Sequence, residues 1–294
     1  MVTVRAPATS ANLGSGFDVF GLALERPGDV VRVERAPETT IEVIGVGQQY
    51  IPEDPAKNTA GIVAKELDAP AHIEIDKGVR PSSGLGSSAA SAAAAAVALN
   101  ELYDCGLTPT ELVRVAAEGE AAVSGEAHAD NVAPAILGGF TVVSEDHVTQ
   151  VDTSIPVVAC LPEIVVSTRD ARQVVPQSVA IDELVGTVGD AATLTAGMFR
   201  NDPTLVGQGL RDNSLTGSRE PLIDGFDSVR ESALDAGATG VAVSGAGPSM
   251  LAICHEGTQA EIASAMLDAF FDVGVEARAY QTSVGGGATI VRKT

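Results

Sequence analysis

The chain has no tryptophan, and aromatic residues fill only 3% of its 294 positions. Its core must therefore be built from Val, Leu, Ile and Ala. The hydrophobic fraction is nonetheless 45%, which excludes a disordered chain and supports one large domain or two medium ones. Cysteine is scarce as well. Cys105, Cys160 and Cys254 are odd in number and lack C-x-x-C spacing, which argues against a disulfide framework and a zinc site. Each sits in or beside an apolar stretch, so three buried free thiols are expected. Long apolar runs are missing too. The longest, residues 89–99, contains Ser91 and is too short to span a bilayer. No signal peptide precedes the alternating pattern at residues 1–5, and a reducing cytoplasm is the expected compartment.

Basic charge is also in short supply. Lysine occurs only at positions 57, 65, 77 and 293, and 39 acidic residues face 18 basic ones, a net charge of -21. Such a surface repels phosphate backbones and anionic lipid, which argues against nucleic acid and membrane partners. The acid is spread along the chain rather than gathered in a tail. This pattern resembles proteins of salt-loving cytoplasm, where screening over a few ångströms offsets self-repulsion. An ordinary acidic cytosolic enzyme is the plainer alternative.

Val- and Ile-rich alternation predicts strands at 2–5, 29–34, 40–44 and 71–75, with a helix at 59–67 capped by Asn58. A long helix is expected over 87–103, with alanine on every face, as suits a helix buried between close neighbours. A second follows at 110–123, opened by Thr108 and Pro109. Residues 138–144 and 147–151 read as a hairpin. The pattern restarts near 153–156, which divides the chain into domains 1–153 and 154–294. The second half predicts strands at 157–160, 164–168, 239–244, 248–254 and 275–281. Helices are expected between 181 and 209, at 221–236 and at 259–273. Strands and helices mix in both halves without regular alternation, so the fold class is α+β.

The clearest chemical signal is residues 80–91, RPSSGLGSSAAS. Gly84 and Gly86 permit torsions other residues avoid and let a ligand approach the main chain. Ser87 and Ser88 then open the long helix, whose unpaired N–H groups and dipole face an anion. The Walker pattern G-x-x-x-x-G-K-[ST] is absent. A capped helix after a flexible loop is the alternative reading.

Residues 81–90 match the pattern P-x-x-x-G-L-x-S-S-A, and in this the chain resembles the GHMP kinases. Two further segments match that family in the right order: PATSANLGSGFD at 7–18 and GVAVSGAGPS at 240–249. The resemblance implies a ribosomal-protein-S5-like N-terminal domain, a ferredoxin-like C-terminal domain, ATP as phosphate donor and Mg²⁺ as cofactor. Homodimerisation is a further family expectation. By the same resemblance Pro81, Ser82, Ser83, Gly84, Leu85, Gly86, Ser87, Ser88 and Ala89 bind the ATP phosphates. Ser88 and Glu120 would hold the metal, with Glu118 the alternative carboxylate.

Within the family the first motif resembles the branch whose acceptor is L-homoserine. That implies substrate contacts at Asn12, Asp18, His128, Asn131, Thr168, Arg172, Arg219 and Gly245. Asp18 suits an amino group, and the forked donors of Arg172 and Arg219 suit a carboxylate. Local turn caps, a structural His128 and surface arginines are the alternative readings. Asn131, Arg172 and Ser88 are the expected catalytic residues. Mevalonate-type relatives carry an aspartate at the position of Asn131, and an amide has no useful basicity, so catalysis by positioning is expected. Archaeal shikimate kinase, a mevalonate-pathway kinase and a catalytically silent nucleotide-binding relative remain as alternatives.

Overall fold

Val2, Val4 and Ala6 alternate along the first strand and are all buried, which drives one face of β1 (Val2–Ala11) into the interior. The computed structural model describes residues 1–124, 129–145 and 147–293. β1 pairs antiparallel with β2 (Phe20–Arg35), a strand long enough to serve two neighbours. Its second half pairs with β4 (Ala71–Lys77), which carries β3 (Thr40–Gly45) in parallel at the edge. Its first half pairs with β5 (Phe140–Val143), the inner strand of a hairpin with β6 (Val148–Val151).

Four helices accompany this sheet: α1 (Thr59–Glu66), α2 (Ser87–Tyr103), α3 (Pro109–Ser124) and α4 (Ala129–Leu137). The alanine helix α2 packs against β1, β2 and the other three helices. Ala92 to Ala96 are completely buried, because methyl side chains alone allow neighbours this close on every side.

The second sheet starts at β7 (Pro156–Pro162). It continues through α5 (Thr168–Gln173), α6 (Ile181–Arg200), α7 (Pro203–Gly209) and α8 (Phe226–Asp235) to β8 (Gly240–Val243) and β9 (Met250–Ile253). The helix α9 (Gln259–Asp272) then leads to β10 (Ala277–Ser283). Its antiparallel order β10-β7-β9-β8 is 4-1-3-2 in chain order, the ferredoxin-like arrangement. Val229, Ile262 and Phe270 of α8 and α9 bury against Val158 and Cys160 on one face. On the other, Leu194 and Met198 join Ala159 and Leu251 with Leu22, Leu85 and Phe140 of the first half in one shared core. We propose residues 152–155 as the boundary between two domains.

Several expected elements differ. Residues 164–168 are not a strand. Glu163 still reaches Glu276 at the sheet edge, but Ser167 then caps α5 by accepting from Asp170 N at 3.0 Å. The helix expected over 221–236 is interrupted by Gly225 at φ +85°, and α8 begins only at Phe226. A last strand, β11 (Thr289–Lys293), was not expected and pairs with β1, so the chain crosses back to the first sheet. Residues 7–11, expected to follow the first strand, are its continuation. Cys105 is exposed rather than buried, because Asp104 ends α2 in a left-handed turn. Cys160 and Cys254 are buried, and burial pushes both thiols up to about 12. Among the described residues no helix is long and apolar enough to cross a membrane.

Candidate active site

Gly84 and Gly86 sit at φ +77° and +62° where the loop 81–86 enters α2. A Cβ at Gly84 would stand 2.5 Å from Ser244 O, and one at Gly86 would stand 1.9 Å from Thr9 Oγ1. No other residue fits either place. The loop is tied down from both halves of the chain. Thr9 N donates to Leu85 O at 3.0 Å, Ser244 Oγ to Gly84 O at 2.8 Å, and Ser249 N to Ser83 O at 3.2 Å. Ser87 Oγ donates to Val79 O at 2.8 Å and fixes the first turn of the helix.

A cleft of about 390 Å³ opens at this helix mouth. Of the nine expected phosphate contacts, all but Leu85 line it. The Leu85 side chain turns away into the shared core and anchors the loop there. Across the mouth, Ser88 Oγ donates to Glu120 Oε2 at 2.8 Å. Glu120 is only 4% exposed and lines the cleft, whereas Glu118 faces solvent. The alternative carboxylate is thus on the wrong face of α3. A hydroxyl and a carboxylate are hard oxygen donors, and one carboxylate beside bound phosphates is the set Mg²⁺ favours. The pair fits that ion.

The far end of the cleft gathers most of the residues assigned to the acceptor. Asn12, Asp18, Asn131, Arg172, Arg219 and Gly245 all line it, together with Asp130. Gly245 O accepts from both Asn12 Nδ2 and Arg219 NH1, each at 2.8 Å. Asn12 Oδ1 accepts from Asp18 N at 3.0 Å, so its amide positions the Asp18 backbone. Arg172 NH1 donates to Asp18 Oδ2 at 2.6 Å, and both side chains are partly exposed. Asn131, in the first turn of α4, accepts at Oδ1 from Thr9 Oγ1 at 2.9 Å. His128 lies outside the described residues, as does the side chain of Thr168.

The family models agree with this geometry. The model described as GHMP kinases N terminal domain matches residues 55–139, and that described as GHMP kinases C terminal matches residues 194–273. A homoserine kinase of Natronomonas pharaonis is 69% identical over 99% of this chain and 100% of that protein. One of Haloarcula marismortui is 67% identical over the same shares. Both sources are halophilic archaea. The chain belongs to the GHMP kinase family, on its homoserine kinase branch. The solved homoserine kinase of Cytophaga hutchinsonii superposes on this GHMP kinase with a TM-score of 0.90 at 35% identity, covering 99% of this chain and 97% of that one.

One buried cluster of this GHMP kinase escaped the sequence reading. Lys77, at the end of β4, forms an ion pair with Asp29 of β2, and their side chains are 1% and 0% exposed. Lys77 Nζ also donates to Ser87 O at 2.7 Å and to Ser91 Oγ at 2.9 Å, both on α2. Asp29 accepts from Gly78 N and Val79 N at 3.0 Å each and from Ser91 Oγ at 2.8 Å. Burial pulls the Lys77 ammonium below its ordinary pKa, while the charge and hydrogen bond of Asp29, and then the charge of Glu120, oppose that. Lys77 lines the cleft, so a fixed cation stands beneath the phosphate mouth of an otherwise acidic protein. Scarcity of lysine was the one available signal.

Proposed function

We propose that this kinase transfers the γ-phosphate of ATP to the side-chain hydroxyl of L-homoserine, giving O-phospho-L-homoserine and ADP. The observation that carries the reading is the charge pattern at the far end of the cleft. Asp18 offers a carboxylate, and Arg172 and Arg219 offer two guanidiniums, in the same cleft as the phosphate loop. An α-amino acid brings the complementary ammonium and carboxylate and leaves its hydroxyl free to face the phosphates. The halves of the Asp18–Arg172 ion pair each exchange a protein partner for a substrate one.

Ser82, Gly84, Gly86, Ser87 and Ser88 cradle the phosphates at the positive end of α2, with Lys77 behind them. Ile51, Pro52, Tyr50 and Val123 supply apolar surface in the same cleft for the adenine. Ser88 and Glu120 would hold Mg²⁺. When bound, that ion neutralises charge on the β and γ phosphates. Asn131 orients the acceptor hydroxyl. Its oxygen is taken by Thr9, and an amide is no base, so the residue acts by position alone. The setting we propose is the cytoplasm, where ATP is available.

The test is ADP release from Mg²⁺-ATP in molar KCl with L-homoserine, L-serine, L-threonine, shikimate and mevalonate as acceptors. Selective turnover of L-homoserine is expected. Preference for another alcohol would discard the acceptor assignment, and nucleotide binding without turnover would discard the activity.

A further inference from the structure

The motif at 7–18 carries a single aromatic ring, that of Phe17. Phe17 is half-buried in the loop after β1. The Arg219 guanidinium carbon lies over its ring at 4.8 Å from the centroid, and the Arg172 guanidinium carbon lies over the same ring at 5.3 Å. Two like charges thus share one aromatic ring. Both come from the second half of the chain, Arg172 from α5 and Arg219 from the short 3-10 turn Gly217–Leu222. The ring comes from the first.

We propose that Phe17 is a positioning residue that sets the guanidinium pair for the acceptor carboxylate. The proposal rests on the assignment of Arg172 and Arg219 as carboxylate anchors. The negative face of an aromatic ring attracts a guanidinium, so one ring holds both like charges near the place where the acceptor carboxylate binds. The two arginines depend on the ring unequally. Arg219 is 4% exposed and donates to Gly245 O at 2.8 Å and Ala171 O at 3.4 Å, two backbone carbonyls that stay in place. Arg172 is more exposed and donates to Asp18, the group that must let go when the ammonium arrives.

Phe17 and Asp18 are consecutive, so one loop presents a ring beneath Arg172 and a carboxylate at its edge. During the exchange Asp18 turns to the ammonium while Phe17 keeps the guanidinium where the carboxylate will land. The ring thus acts on acceptor capture and not on phosphoryl transfer.

A double-mutant cycle tests this. kcat and KM for L-homoserine would be measured at saturating ATP in molar KCl for Phe17→Leu, Phe17→Tyr, Arg172→Met and the Phe17→Leu/Arg172→Met double variant. Loss of the ring should raise the L-homoserine KM roughly 5- to 30-fold, the span of one to two cation–π contacts, with little effect on kcat. Phe17→Tyr should restore it. In the Arg172→Met background, Phe17→Leu should add less than about twofold. Phe17→Met, which keeps bulk without a ring, replaces the leucine variant if thermal melts show that one unfolded. Additive penalties, or a loss confined to kcat, would overturn the role of Phe17 and leave the arginines as anchors. If neither Arg172→Met nor Arg219→Met moved the L-homoserine KM, the anchor assignment itself would fall.

Discussion

The Thr9 hydroxyl donates to the side-chain carbonyl of Asn131 across 2.9 Å, and that bond decides which end of the amide is left for the cleft. The amino end donates to Asp130 Oδ1 at 3.4 Å and keeps its second hydrogen for a phosphate or hydroxyl oxygen. Thr9→Val keeps the shape and removes the hydroxyl, so kcat should fall by about tenfold, the worth of one hydrogen bond. Asn131→Ala should lose roughly a hundredfold or more, as removal of a transition-state donor does. Steady-state kinetics with L-homoserine would check both. An Asn131→Ala enzyme with undiminished kcat would remove that residue from the mechanism.

The Ser88–Glu120 pair makes a sharper claim about metal use. Glu120→Gln keeps an oxygen to accept from Ser88 but removes the negative charge offered to a cation. The expected result is a drop in kcat/KM on the order of a hundredfold and a higher Mg²⁺ requirement for nucleotide binding, read by calorimetry. Glu118→Gln, on the exposed side of the same helix, should change neither.

Breaking the Lys77–Asp29 pair from one side leaves a buried charge without its partner. Asp29→Asn and Lys77→Met should each destabilise the protein by roughly 3–5 kcal/mol. The double variant should lose clearly less than the sum, because no charge is then stranded. Denaturant titrations in molar KCl give the numbers. Strict additivity would mean that the two groups do not act as a pair.

Asp212 places a pH dependence on stability. Burial, then the nearby charge of Glu220, push its carboxyl up to about 7, against the opposing pull of Thr216 and Arg230. A folded-state pKa above the unfolded one means stability that is complete below the ordinary carboxylate range. That stability is lost as pH rises through about 7. Asp212→Asn should therefore melt higher than the parent at pH 8 and by a smaller margin at pH 5. Parallel melting curves for the two proteins across that range would contradict the burial argument.

Salt should help rather than harm. With a net charge of -21, self-repulsion in dilute buffer acts against the folded state, and molar KCl shortens its range to a few ångströms. Both the melting temperature and the turnover with L-homoserine should rise or hold as KCl increases. Best function in dilute buffer would count against this.

What the sequence disclosed follows from how local each feature is. The glycines, the serines and the alanine run of α2 are neighbours in the chain, so the helix behind the glycine loop could be placed to the residue. Asn131, Arg172 and Arg219 come together only through long-range folding, and family resemblance was needed to single them out. Asp29 and Lys77 lie 48 residues apart, in strands that pair, and nothing local marks either as a partner. β11 escaped because every one of its residues is exposed, which leaves no buried alternation to read. Residues 164–168 misled for the opposite reason, since β-branched side chains there fill a connection that lies outside the sheet.

The bonds from Gly84 to Ser244, Ser83 to Ser249 and Ala11 to Gly245 have a consequence for motion. They stitch the two halves together at the loop 81–86, and β11 adds a second seam through its ladder with β1. A jaw-like swing of one half against the other would tear the phosphate loop before it admitted a substrate. On the roles proposed above, the amino acid instead enters by small side-chain rearrangements, chiefly the parting of Asp18 from Arg172. On the same reading the loop 81–86, held from both sides, keeps its shape while the acceptor enters.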